Sequence, residues 1–449
     1  MGGSLGLLES VKGGIIMRYW DEKIETMPIE EMRKLQLENL KKTVKWVYER
    51  VPFYRSKLDD IGFKPEDLKE LEDLSKLPFT ARTDLRDNYP FGLCAVPLAE
   101  VIRIHASSGT TGKPITGPYT QGDLDQWTEC MARNLYAAGV RSSDVCQNAY
   151  GMGLFTGGLG FHQGATRVGC AVIPISSGQT ERQILIMQDF GVTVLFCTPT
   201  YALTIAERAD EMGVNIKDLP LRIGVFGAEP WTIPMRKEIE ERMGIKGMEA
   251  YGLTEFGGPG TAYDCVAQDG LHVNEDHFIA EIIDPVTGEV LPLGTKGELV
   301  FTAIQRQAMP LLRYRTRDIT TLRREECECG RTLIKMDKIY GRSDDMLIIG
   351  GVNVFPSQIE SILLDIRGIE PQYVIIVKKK GYLDQLNVDV EARQETHDAG
   401  PKKIAEVEKM VESKIRGMTG IGVKIRLVPP KTITRSEGKA KRVIDERRM

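Results

Sequence analysis

Long apolar runs are missing from this chain of 449 residues. The longest, such as Val172–Ile175 and Val192–Cys197, stop at strand length, far short of the roughly 20 apolar residues that span a bilayer. This excludes a membrane-spanning helix and predicts a soluble protein without a membrane partner. The opening segment Met1–Ile16 has neither the long apolar centre nor the small-residue cleavage site of a secretory leader. Met17 offers an alternative start. Eight cysteines scattered over the whole length form no disulfide framework, so a reducing, cytoplasmic setting is expected. Strong net charge is absent too: the formal value is −4, which supplies no basic field for nucleic acid. There is no internal repeat and no low-complexity tract.

With 42% hydrophobic and 27% charged residues and 45 glycines, the composition is that of an ordinary globular protein. The length exceeds one hydrophobic core, which predicts a large domain with a smaller companion. Charge is uneven. Residues 401–449 carry fourteen Lys/Arg against six Asp/Glu. A solvated surface accounts for that run, and so does a basic module brought up to a phosphorylated ligand.

Met32, Leu35, Leu40, Val44 and Val47 recur at helical spacing within 28–50, and Val51-Pro52 ends the pattern. Between about 120 and 250, strand-like and helical stretches alternate: Ala171–Ile175, Gln179–Phe190, Val192–Cys197, Tyr201–Met212, Leu221–Phe226 and Pro234–Met243. That alternation predicts a doubly wound α/β sheet. After Tyr251 come shorter runs, Phe278–Ile283 and Glu298–Ala303, separated by turn residues, which predict a small β-rich subdomain. Beyond Gly341 a mixed α+β pattern begins, with helices at Ser357–Asp365 and Lys402–Arg416 and strands at Val374–Val377, Leu386–Val390 and Val423–Val428. The expected domains are 17–343 and a mobile 344–449.

Ser107-Ser108-Gly109-Thr110-Thr111-Gly112-Lys113-Pro114 packs hydroxyls, glycines and one lysine together, the means of surrounding phosphate oxygens with donors and little steric obstruction. It is not the P-loop of kinases, because Ser107 stands where that pattern needs glycine and Pro114 follows the lysine. Phe226-Gly227-Ala228-Glu229-Pro230 and Glu249-Ala250-Tyr251-Gly252-Leu253-Thr254-Glu255 each follow a predicted strand, where open α/β sheets bind ligands. An aromatic face at Tyr251 suits a purine, the hydroxyl of Thr254 a phosphate oxygen, and the carboxylate of Glu255 a hard cation.

In this order the motifs resemble the adenylate-forming superfamily of acyl-CoA synthetases, peptide-synthetase adenylation domains and firefly-type luciferases. The resemblance gives Ser107, Ser108, Gly109, Thr110, Thr111, Gly112, Ala228, Glu229, Pro230, Tyr251 and Gly252 to nucleotide binding, and Lys113, Thr254 and magnesium-binding Glu255 to catalysis. In Arg313–Ile319 it implies that Asp318 holds the ribose hydroxyls. In Gly341-Arg342-Ser343-Asp344-Asp345-Met346 it places Arg342 near the ribose and makes Asp344 the hinge. Thr434–Lys439 resembles the loop whose lysine bridges carboxylate and α-phosphate, so Lys439 is the candidate, with Lys441 as the alternative. Together with Lys76-Leu77-Pro78-Phe79-Thr80 and Asn353–Glu360, these features are most similar to the phenylacetate–CoA ligase group, over the chain from about Met17 to its end.

Membership implies an aryl acid, ATP, magnesium and coenzyme A, an acyl-adenylate intermediate, and a homodimer. Rival readings are a different acceptor, such as a carrier protein or F390-type cofactor, and a non-catalytic nucleotide-binding scaffold. Tyr150 and Phe155, in the glycine-rich stretch Tyr150–Gly158, are the acyl-site candidates, with a structural turn as the competing reading. Cys265, His272, Cys327 and Cys329 supply three thiolates and an imidazole, the donor set of structural zinc. Against this stand the tight C-x-C spacing and chance co-occurrence, and His277 is an alternative ligand.

Overall fold

The computed structural model describes residues 18–107, 114–349, 352–380, 383–437 and 439–448. Helix Ile29–Arg50 buries Met32, Leu40, Val44 and Val47 along one stripe, and ends where Pro52 starts the next helix, Pro52–Asp60. Proline is tolerated there because the first helical N–H needs no partner. The alternating segment folds as read from the sequence. Strands Val145–Asn148, Ala171–Ile173, Val194–Cys197, Ile223–Gly227 and Lys246–Leu253 pair in parallel. Helices Thr180–Asp189, Pro199–Glu211 and Ile233–Met243 connect them. Strands Val194–Cys197 and Ile223–Gly227 are buried along their whole length, as expected when helices cover both faces.

The β-rich segment is hydrogen-bonded onto the same sheet rather than standing apart. Strand Gly258–Asp264 runs antiparallel to Lys246–Leu253, followed by Leu271–Val273, Lys335–Met336, Tyr314–Arg323, Lys296–Ala303 and Phe278–Ile283, in a path of eleven strands, with a twelfth, Gly341–Arg342, pairing Tyr314–Arg323 off that path. Two-stranded pairing of Arg103–Ala106 with Thr116–Tyr119 flanks this sheet.

The C-terminal part has its own core, formed by side chains between Leu347 and Leu427. Its sheet orders Val423–Val428, Leu383–Ala392, Ile369–Lys380 and Val443–Asp445, packed by helices Pro356–Leu364 and Pro401–Thr419. Strand Val443–Asp445 pairs in parallel with Ile375–Val377, which fixes the loop just before it, including Lys439, to the small domain. Among the described residues no helix is long and apolar enough to cross a membrane.

Candidate active site and a buried cysteine–histidine cluster

Two loops leave the carboxyl ends of adjacent strands side by side. At the first, a Cβ on Gly227 would lie 2.3 Å from the Ala250 carbonyl oxygen, so only glycine lets these strands approach as they do. Ala228 then takes φ 73°, a left-handed conformation rare for a side-chain-bearing residue. This bend sends Glu229 across to the small domain. Its carboxylate accepts the Thr200 N–H at 2.8 Å and the Ala440 N–H at 3.1 Å. Burial pushes its pKa up, and the Arg442 guanidinium opposes that shift.

At the second loop, Tyr251 is buried and its hydroxyl donates to Asp318 at 2.6 Å. Asp318 faces Arg342 in the strand register, and the guanidinium donates to it at 3.1 Å. Burial raises Asp318 to about 6 despite that cation. Thr254 and Glu255 are buried directly after strand Lys246–Leu253, and Glu255 accepts the Tyr314 hydroxyl at 2.9 Å. Tyr251, Asp318 and Arg342 are thus joined in one hydrogen-bonded chain, and Thr254 and Glu255 follow directly on the strand that carries Tyr251. Asp344, exposed, accepts from Arg342 at 3.0 and 3.2 Å.

Lys439 reaches these residues from the small domain. Its Nζ lies 5.5 Å from the centre of the Phe155 ring. Although the residue keeps contact with solvent, partial burial lowers its pKa, and the nearby charges are Glu229 and Glu255 against Arg342 and Arg82. Phe155 thus lies beside the lysine. Tyr150 is buried, 6.4 Å from Phe155 and stacked on Phe161 at 4.8 Å, so it belongs to an aromatic layer.

Ser107 is tied to Ile115 twice: its N–H donates to the Ile115 carbonyl at 2.8 Å and its Oγ accepts the Ile115 N–H at 2.9 Å. Ser108, Gly109, Thr110, Thr111, Gly112 and Lys113 lie outside the described residues.

Elsewhere, Cys265, His272, Cys327 and Cys329 converge with all four ligand atoms within 4.8 Å of one another, every residue buried. The Cys265 and Cys327 sulfurs are 3.7 Å apart, close to the edge of about 3.8 Å in a tetrahedron with Zn–S bonds of about 2.3 Å. Cys329 Sγ lies 3.3 Å from His272 Nε2, while His272 Nδ1 is 3.4 Å from the Leu333 carbonyl, an arrangement that turns Nε2 toward the sulfurs. Contact with Cys265, and then with His272, lowers the pKa of Cys329, toward the thiolate form that binds metals. His277 is occupied elsewhere, 3.2 Å from Asp276.

Sequence reasoning missed three contributors. Arg82 follows Thr80 in the motif already noted, and its charge acts on Lys439, Tyr314 and Asp345. Glu207 and Glu391 clamp Arg435 of the lysine loop from two different domains. No local signal marks them, because their meaning lies in a pairing across 228 and 44 positions.

The AMP-binding enzyme family model matches residues 23–306, and the AMP-binding enzyme C-terminal domain matches 351–447. This chain belongs to the AMP-binding enzyme family. Within it, the phenylacetate-coenzyme A ligase of Thermus thermophilus is 49% identical over 446 residues, covering 96% of this chain and 100% of the relative. The crystal structure of 2-hydroxyisobutyryl-CoA ligase in the postadenylation state with R3-HIB-AMP superposes with TM-score 0.92 at 29% identity, over 96% of this chain and 93% of the other. The same ligase with 2-HIB-AMP and CoA in the thioesterfication state gives only 0.72, at 30% identity over 96% and 92%.

Proposed function

We propose that the chain is an AMP-forming aryl-acid–CoA ligase whose acid is phenylacetate. The observation that carries this reading is Lys439, delivered by the small domain to a cleft bounded by Glu229, Glu255 and Arg342. The near-full-length similarity to a phenylacetate-coenzyme A ligase supports the substrate class.

The acid carboxylate attacks the α-phosphorus of ATP, forming the acyl-adenylate and releasing pyrophosphate. The coenzyme A thiol then attacks the acyl carbon and AMP leaves. No enzyme nucleophile is required. Tyr251 offers its ring to the adenine and Asp318 with Arg342 anchors the ribose. Thr254 and Lys439 stabilise charge as the α-phosphate becomes five-coordinate, and Ser107 together with the loop through Lys113 holds the outer phosphates. Phe155 and Tyr150 form an aromatic wall for an aryl group. Glu255, a buried carboxylate held at one oxygen by Tyr314, fits a magnesium ion, which when bound offsets phosphate charge.

We place the domain division at 17–343 and 344–449, with Asp344 as hinge. Separate cores support it, as does the better superposition on the postadenylation than on the thioesterfication state. The small domain turns between the half-reactions, withdrawing Lys439 and admitting the thiol. The reading also includes structural zinc at Cys265, His272, Cys327 and Cys329, a homodimer, a cytoplasmic setting and a place in phenylacetate breakdown.

Pyrophosphate release with Mg-ATP and phenylacetate, indole-3-acetate, benzoate or acetate, with and without coenzyme A, tests the proposal. Release confined to aryl acids, with a CoA thioester detected by mass spectrometry, is the expected result. Release without thioester points to another acceptor. No release from protein that binds ATP refutes the ligase reading.

A further inference from the structure

The four metal-binding side chains come from separate elements. Cys265 follows strand Gly258–Asp264, His272 lies in strand Leu271–Val273, and Cys327 and Cys329 sit in the turn between Tyr314–Arg323 and Lys335–Met336. Gly330 closes that turn by donating its N–H to the Cys327 carbonyl at 2.7 Å, with φ 78°.

The N-terminal segment 18–27 is seated on the outside of this turn. The Tyr19 hydroxyl donates to the Cys329 carbonyl at 3.2 Å, and Arg18 donates to the carbonyl of Glu328. A Cβ on residue 330 would come within 2.4 Å of the Tyr19 oxygen, so glycine there serves the seat as well as the turn. One step further on, Arg331 pairs with Glu25, both side chains almost wholly buried. Thr332 donates its N–H to the Glu25 carbonyl at 3.0 Å and its hydroxyl to the Met27 carbonyl at 2.7 Å. Met27 and Met32 share one apolar cluster with Cys265, Cys327, Cys329 and Leu333. Residues 18, 19, 25 and 27 are thus received by backbone groups or side chains within three positions of Cys329, while Trp20 between them donates to Glu129 at 2.9 Å and packs against Tyr136.

We propose that zinc at this site is a clasp for the N-terminal segment: it holds turn 327–333 in the only shape on which residues 18–27 can dock. The inference rests on the zinc reading given under Proposed function. Three sulfurs and an imidazole select zinc, and such a site orders short turns that lack a core of their own. Arg331 links the two parts, because it lies two residues after Cys329 and pairs with the carboxylate of Glu25. Removing the ion takes away the common centre that ties Cys327 and Cys329 to Cys265 and His272, and the turn opens.

The test uses the full-length protein. Zinc content is measured by plasma mass spectrometry, and amide hydrogen exchange of residues 18–27 is followed before and after treatment with a strong zinc chelator, then after zinc is restored. About one zinc per chain is expected, with exchange in 18–27 accelerated about tenfold or more on chelation and reversed by zinc. Glu25→Gln is expected to speed exchange in the segment while zinc content stays at one, which separates seat from metal. Cys327→Ser is a second route to the metal-free state. Zinc present with unchanged exchange on its removal overturns the clasp and leaves the metal reading standing. Absence of zinc from protein purified without chelator overturns both.

Discussion

Arg435 in the lysine loop is held by two carboxylates of opposite allegiance. It donates to Glu391 of its own domain at 2.7 and 2.9 Å, and to Glu207 of the large domain at 2.6 and 2.6 Å. Glu391 is fully buried and also accepts the N–H groups of Lys431 and Ile433, so it shapes the loop wherever the small domain stands. The Glu207 contact exists only while the domains are posed as here. Glu207→Ala should therefore weaken that pose. The side chains of Arg435 and Glu207 are 20% and 24% exposed, between the surface regime of under 1 kcal/mol and the buried regime of several. A bidentate, charge-assisted pair in that setting is worth about 1–2 kcal/mol, or a five- to thirtyfold loss of the docked population. Single-turnover pyrophosphate release should slow by that factor, while thioester formation from synthetic acyl-adenylate and coenzyme A should not slow. Equal slowing of both half-reactions, or of neither, would refute the idea that Glu207 holds the adenylating pose.

Lys439→Ala should reduce acyl-adenylate formation roughly a hundred- to a thousandfold, with ATP affinity by calorimetry nearly unchanged. Because burial raises Asp318 to about 6, it takes up a proton as pH falls below that value and offers the ribose one acceptor fewer. KM for ATP should rise on that limb, and Asp318→Asn should flatten it. The same raised value means that the ionised carboxylate costs the ligand-free fold stability at neutral pH, a cost that fades as pH falls through about 6 toward the ordinary value near 4. Denaturation midpoints of the wild type and Asp318→Asn at pH 7.5 and 5 measure that difference, which should shrink at the lower pH. Gly227→Ala forces a methyl against the Ala250 carbonyl and should destabilise the protein by about 2 kcal/mol or more, read as a lower denaturation midpoint.

Local pattern by itself determined much of this protein. Helical spacing located Ile29–Arg50, and alternation located strands and helices from Ala171 to Met243 to within a few residues, because buried faces impose their period on the chain. The ligand loops after Phe226 and Glu249 were legible for the same reason: strands end where backbone turns, and residue types suited to phosphate, purine and cation gather there. What only tertiary structure decided depends on distant pairings, whose closure entropy leaves no mark on neighbouring residues. The β-rich segment looked separate, yet strand Gly258–Asp264 hydrogen-bonds to Lys246–Leu253 and extends one sheet. Cys265 and Cys327, 62 positions apart, meet because Leu271–Val273 lies between Gly258–Asp264 and Lys335–Met336 in that sheet. Lys439 enters the cleft only because Val443–Asp445 is pinned to the small domain and that domain docks through Glu207 and Glu229, a contact set by the pose of two bodies and by no stretch of sequence.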